Sequence, residues 1–166
     1  MAKITLSLIE ELDNQIDLFT DKELNKAFEK LESQQPYLNS YIDATQEIFE
    51  DEEEFLDMVN YFHLLINMAF EKAFGPIDLI PSDLIEEIDN KMLNLIDSFE
   101  EGEDDDFNEK ISAIFETHPQ SELINYFFTT LFDEEADYDD HIVELGTQLM
   151  LFTYGVIDIY SKFVNS

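Results

Sequence analysis

Apolar residues recur every three to four positions along nearly the whole of this 166-residue chain, and only four Gly and four Pro interrupt them. No run alternates apolar and polar residues as a half-buried strand would, so the spacing predicts an all-α fold of about eight helices. The first helix is expected over residues 5–19, with Ile9, Leu12, Ile16 and Phe19 on one stripe. Thr20 stands three residues before Glu23, the spacing of a capping box, and opens a second helix that buries Leu24, Ala27, Phe28 and Leu31. Pro36 ends that element and suits the first turn of the next, which turns Leu38, Tyr41, Ile42, Thr45, Ile48 and Phe49 inward.

Asp51 and Glu54 repeat the box spacing ahead of Phe55, Val59, Phe62, Leu65, Ile66, Ala69 and Phe70, and Gly75-Pro76 is the expected stop. Ser82 is expected to cap a helix that carries Leu84, Ile85, Ile88 and Met92 and ends near Gly102. Asp106 and Glu109 open another that runs to His118-Pro119, and Leu123, Ile124, Phe127 and Leu131 follow in a seventh. The last helix, from about Asp140 to Phe163, is apolar nearly all round, which marks it as the centre of a compact bundle. Gly146 and Gly155 within it suggest close approach of a neighbouring backbone, since a mid-helix Gly costs about 1 kcal/mol relative to Ala. Ile48-Phe49-Glu50 and Ile114-Phe115-Glu116 begin a short echo, too brief to establish a repeat.

The chain has the material for a core: 45% of its residues are hydrophobic, including 15 Phe and 17 Ile. With no linker-like segment, residues 1–166 read as a single acidic helical domain. Cysteine is absent, which excludes disulfides, thiol catalysis and thiolate metal sites. Ile4 to Ile9 is too short for a signal-peptide core, and Gln148, Asp158 and Lys162 interrupt the most apolar stretch. The expected location is cytoplasmic.

Charge restricts partners. Forty Asp and Glu face eight Lys and no Arg, a formal net charge of −32. Binding to a nucleic-acid backbone relies on cationic side chains that neutralise phosphates, so direct nucleic-acid binding is not expected, and an anionic membrane surface is repelled in the same way. A partner drawn in by long-range electrostatics should be a basic protein. Residues 1–35 hold 8 acids and 4 Lys, a net of −4, and residues 36–166 hold 32 acids and 4 Lys, a net of −28.

Three acidic runs stand out as candidate partner-binding residues. They are Glu50, Asp51, Glu52, Glu53 and Glu54, then Glu100, Glu101, Glu103, Asp104, Asp105 and Asp106, then Asp133, Glu134, Glu135, Asp137, Asp139 and Asp140. All lie at expected helix junctions, where acids complement the helix macrodipole. That explains their placement better than their number, because like charges about 7 Å apart cost roughly 0.6 kcal/mol per pair in water before salt screening. The leading expectation is a non-enzymatic binding protein whose acidic surface mimics nucleic acid or plugs a basic cleft. The alternative is a helical domain whose acidity serves only solubility or self-association, for example as a homodimer.

Other chemistry finds little support. Asp133 to Glu144 has carboxylates at positions 1, 3, 5 and 12 of an EF-hand-like loop but lacks the Gly at position 6. His63 lies in an apolar run and reads as a core or boundary residue, His118 as a helix-start residue, and His141 as a solvated neighbour of Asp137. No phosphate loop, nucleophile elbow or zinc-protease doublet occurs, and without Arg the usual clamp for anionic substrates is missing. No catalytic residue, cofactor or metal is expected.

The string His118-Pro119-Gln120-Ser121-Glu122-Leu123-Ile124-Asn125-Tyr126 resembles the signature of the colicin-type bacteriocin immunity proteins, a His-Pro followed by Ser-Asp-Leu-Ile and aromatic residues. Here the family's Gly is missing, Glu122 replaces Asp, Asn125 separates Ile124 from Tyr126, and Phe127 follows in place of Pro. The resemblance implies an acidic bacterial helical protein that neutralises a nuclease toxin, with Ser121, Glu122 and Tyr126 as partner contacts.

Overall fold

The computed structural model describes residues 3–49, 51–100, 104–132 and 140–165, with side chains described except at 96, 98–100, 104–108 and 140–143. Among these residues there are eight α-helices and no strand: α1 (Leu6–Asp17), α2 (Asp21–Gln34), α3 (Pro36–Thr45), α4 (Glu53–Phe74), α5 (Ser82–Glu100), α6 (Asp104–Thr117), α7 (Ser121–Leu131) and α8 (Asp140–Val164). A 3-10 turn, Gln46–Phe49, joins α3 to α4. The helices pack as a compact bundle around one core. No described helix is long and apolar enough to cross a membrane.

α8 lies at the centre, as its all-round apolar pattern predicts. Every residue from Thr153 to Ser161 is buried, and the helix packs on α4, α5 and α7. α4 is its main partner, buried from Phe62 to Asn67 and carrying α1 and α2 on its other side. Aromatic rings join these layers: Phe70 stacks on Tyr160 at 5.2 Å, and Phe62 meets Phe127 of α7 at 4.5 Å.

Local signals explain several boundaries. Thr20 Oγ1 accepts the Glu23 amide while Glu23 Oε1 accepts the Thr20 amide, both at 3.2 Å, so the predicted capping box forms. Pro36 occupies the first turn of α3, where its missing N–H costs no helix bond. α4 ends at Gly75, whose φ of 87° and ψ of −176° belong to a region open essentially to Gly alone.

Other expectations need correction. The Asp51–Glu54 box does not form; Glu52 stands at the N-cap with no side-chain capping bond, and the ring of Phe49 stacked on Phe55 fixes the entry to α4. Ile48 is 55% exposed, because the 3-10 turn changes the helical phase after Thr45. Ser82 lies inside the first turn of α5 and so is not its cap. α6 begins at Asp104, ahead of the Asp106 start. Gly146 and Gly155 are approached by side chains, Phe132 and Met92, and not by backbone. The echo also falls on unlike elements, since Phe49 closes a 3-10 turn and Phe115 lies within α6.

Two buried glutamines fasten chain segments far apart in sequence. Gln35, just before α3, donates through Nε2 to the Asp78 carbonyl at 2.8 Å and accepts the Ile80 amide at 2.9 Å. Gln120, just before α7, accepts the Ile4 amide at 2.8 Å. Each amide side chain substitutes for a peptide partner and satisfies backbone groups that burial would otherwise strand.

Candidate functional site

The acidic runs lie only partly within the described residues. Asp51, Glu53 and Glu54 are exposed at the start of α4, with Glu52 half-buried beside them. Glu100 closes α5, Asp104, Asp105 and Asp106 form the first turn of α6, and Asp140 opens α8. Glu50, Glu101, Glu103, Asp133, Glu134, Glu135, Asp137 and Asp139 lie outside the described residues, and with them most of the EF-hand-like segment and the Asp137 partner of His141. Among the described residues, no group of three or more His, Asp or Glu is placed to hold a metal ion.

Among the described residues a concavity is lined by α6 and α7. α6 is a peripheral helix that packs chiefly on α7. Between them opens a groove of about 340 Å³ lined by Ser112, Phe115 and Glu116 of α6 and by Glu122, Asn125 and Phe128 of α7. Phe115 forms its supported wall, tilted on the ring of Tyr154 at 5.3 Å, and Phe128 remains 42% exposed. Two carboxylates thus flank two aromatic faces, and among the described residues no Lys lines the groove. Such a surface suits a cationic group carried on an apolar stem: the carboxylates pair with the charge while the rings accept the hydrocarbon and attract the cation through their π faces.

The residues implied by the resemblance divide here. Ser121 and Glu122 line the groove. Tyr126 does not: it faces α1, where its hydroxyl is hydrogen-bonded to Asp13, and burial together with that contact pushes its pKa up.

Beneath the groove sits a buried charged cluster. Asp158 of α8 is 5% exposed and is met by His118 Nε2 at 3.1 Å and by Lys91 Nζ at 3.2 Å. His118 Nδ1 accepts the Gln120 amide at 3.0 Å, which leaves the ring proton on Nε2 to donate to the carboxylate. Burial acts to raise the Asp158 pKa, but the His118 hydrogen bond and the Lys91 charge together outweigh it and hold the carboxyl below its ordinary value. Tyr154, buried near that carboxylate, is pushed up to about 12. Both ring nitrogens of His118 are committed within the protein, so this carboxylate–histidine pair orients α8 and offers no free nitrogen for proton transfer.

A second cluster is neutral. Tyr160 donates its hydroxyl proton to Asn67 Oδ1 at 2.8 Å, and His63 Nε2 meets the Tyr160 hydroxyl oxygen at 3.1 Å. A phenol has one proton, so His63 donates to Tyr160 and carries its own proton on Nε2. Burial pushes the His63 pKa down to about 3, consistent with its place in the core.

Ser121 and Glu122, named through the resemblance, line the groove, whereas sequence reasoning missed the pairing of Phe115 with Phe128 across two helices and the meeting of Lys91, His118 and Asp158. The interruption of an otherwise apolar α8 by Asp158 was the one available signal for that cluster, since a buried carboxylate requires partners. No protein-family model, curated protein or solved structure matches the chain.

Proposed function

We propose that this chain is a non-enzymatic binding protein that captures a basic protein partner and seats one of the partner's cationic side chains in the α6–α7 groove. The observation that carries this reading is the groove itself, an aromatic-walled slot with a carboxylate on each side in a chain of net charge −32. The general field raises the encounter rate with basic surfaces, and the groove supplies the shape that a diffuse field lacks. A target that uses a basic cleft to bind nucleic acid suits this chemistry, which is the sense in which the protein acts as a mimic or inhibitor.

The test is retention of proteins from a lysate on the immobilised chain, at low and at physiological salt, compared among three forms. In the groove form, Phe128→Ala is combined with Glu116→Gln and Glu122→Gln; in the control form, Glu86→Gln and Glu87→Gln remove the same charge from exposed positions of α5. A basic protein kept by the wild type and the control but lost from the groove form is the expected result. Retention of no basic protein even at low salt overturns the proposal.

One observation favours a second reading, in which the acid serves only solubility or self-association. Exposed carboxylates stand on seven helices, among them Glu11 of α1, Glu29 of α2, Asp57 of α4, Glu87 of α5 and Glu144 of α8. If the groove and control forms lose the same proteins to the same extent, bulk charge is at work and this reading replaces the first.

A further inference from the structure

A second pocket, of about 280 Å³, opens on another part of the bundle, between α2, α3 and α4. Phe28 and Glu32 of α2, Asn39 and Asp43 of α3, and Asn60 and His63 of α4 line it. Glu32 and Asp43 are exposed at the rim, whereas His63 is only 4% exposed.

The hydrogen-bonding inventory of this pocket is one-sided. Asn60 Nδ2 donates to the Leu56 carbonyl, and its Oδ1 accepts from Gln46 Nε2. Asn39 Nδ2 is directed to Asp43 Oδ2. Among the described residues no Lys lines the pocket. His63 Nε2 is occupied by Tyr160, and His63 Nδ1, which in this tautomer is an acceptor, has no hydrogen bond among the described residues. The lining therefore presents acceptors with few free donors: an imidazole nitrogen of the otherwise buried His63 ring and two carboxylates, beside the half-buried ring of Phe28.

We propose that this pocket binds a small organic cation of the alkylammonium class, whose N–H groups donate to His63 Nδ1 and to the carboxylates of Glu32 and Asp43 while its carbon stem lies against Phe28. An ammonium has three donors and no acceptor, which matches three acceptor groups in the lining. A neutral or anionic ligand would leave the carboxylates without a counter-charge. The depressed pKa of His63 suits this role, since the ring stays an acceptor at neutral pH and does not compete with the ligand's charge. This site is separate from the α6–α7 groove and stands or falls independently of it.

The probe is n-butylammonium, titrated at physiological salt into protein carrying ¹⁵N-labelled histidine. The expected result is a saturable shift of the His63 Nδ1 resonance, with the His118 resonances unmoved. Asp43→Asn and Glu32→Gln each weaken binding roughly tenfold, as loss of a charge-assisted hydrogen bond implies. The Glu86→Gln, Glu87→Gln control leaves it unchanged, and n-butanol does not bind. A His63 resonance that stays fixed throughout the titration overturns the proposal. So does equal weakening by the control, which would assign binding to the general field, or a response to zinc alone with butylammonium silent, which would assign the pocket to a metal.

Discussion

His118 and His63 are both buried, and both hydrogen-bond to α8 at positions two residues apart, yet they hold it by opposite means. His118 meets a carboxylate, Asp158, whose charge is compensated by Lys91 reaching in from a half-exposed position. His63 meets a phenol, Tyr160, in a cluster with no formal charge. Near the bundle's edge a charge survives because a cation can bridge it to water. Deeper in, burial selects the neutral form of every member. The comparison shows how one side-chain type serves two environments, with the partner on α8 deciding which.

The largest effect that can break this comparison is that of pH. The His63 pKa falls from its ordinary 6.5 to about 3 in the folded chain. Between those values the unfolded chain binds a proton that the folded chain refuses, so this contribution is complete above pH 6.5 and declines as pH falls towards 3. Over the full window it is on the order of 5 kcal/mol. Tyr160 of α8 is hydrogen-bonded to His63, and Glu32 of α2 and Asp43 of α3 line the pocket that His63 borders. Carboxylate repulsion elsewhere relaxes as the acids protonate and opposes the trend, so the useful quantity is a difference. Urea unfolding of wild type and His63→Gln should show a stability gap that narrows steadily on acidification from neutrality. A constant gap would mean that His63 is not held neutral. Asp158 behaves differently: its pKa lies below the ordinary 3.8, so its stabilisation is present above 3.8 and is lost only as pH falls through the folded value. Asp158→Asn should therefore leave the slope between pH 6.5 and 4 in place.

Tyr160→Phe comes next. It strands both the His63 N–H and Asn67 Oδ1 in the interior and should cost about 2–4 kcal/mol in chemical denaturation at neutral pH. Asp158→Asn keeps an acceptor for His118 and releases Lys91 towards water, so about 1–2 kcal/mol is expected. If the order is reversed, the charged cluster and not the neutral one dominates the seating of α8. The smallest effect belongs to Lys91→Met, under about 1 kcal/mol because the ammonium is half-exposed, and it should shrink further in high salt.

The contrast also explains what was legible in the sequence. α8 was readable as the central helix because its apolar residues cover the whole circumference, and the Thr20–Glu23 box because both partners lie within one turn. The Asp51–Glu54 box shares that spacing yet fails, since the 3-10 turn and the Phe49–Phe55 stack set the chain's approach to α4. Gln35 and Gln120 carried no local mark at all. Their partners lie 45 and 116 residues away, at Ile80 and Ile4, and their burial is decided by tertiary packing. At the candidate site, Ser121 and Glu122 were singled out from a contiguous string, while the wall formed by Phe115 and Phe128 depends on how α6 lies against α7.

The position of α8 within the chain bears on how the protein is made. α8, which completes the burial of α4, α5 and α7, is the last of the eight described helices to leave the ribosome, and until then the faces that those three helices turn to it stay uncovered. Closure waits until α8 has emerged, which makes the nascent chain a candidate for chaperone binding up to that point. During that interval the acidic residues have a use apart from any mature partner: a strongly negative nascent chain repels its own copies and resists aggregation while its core is still open.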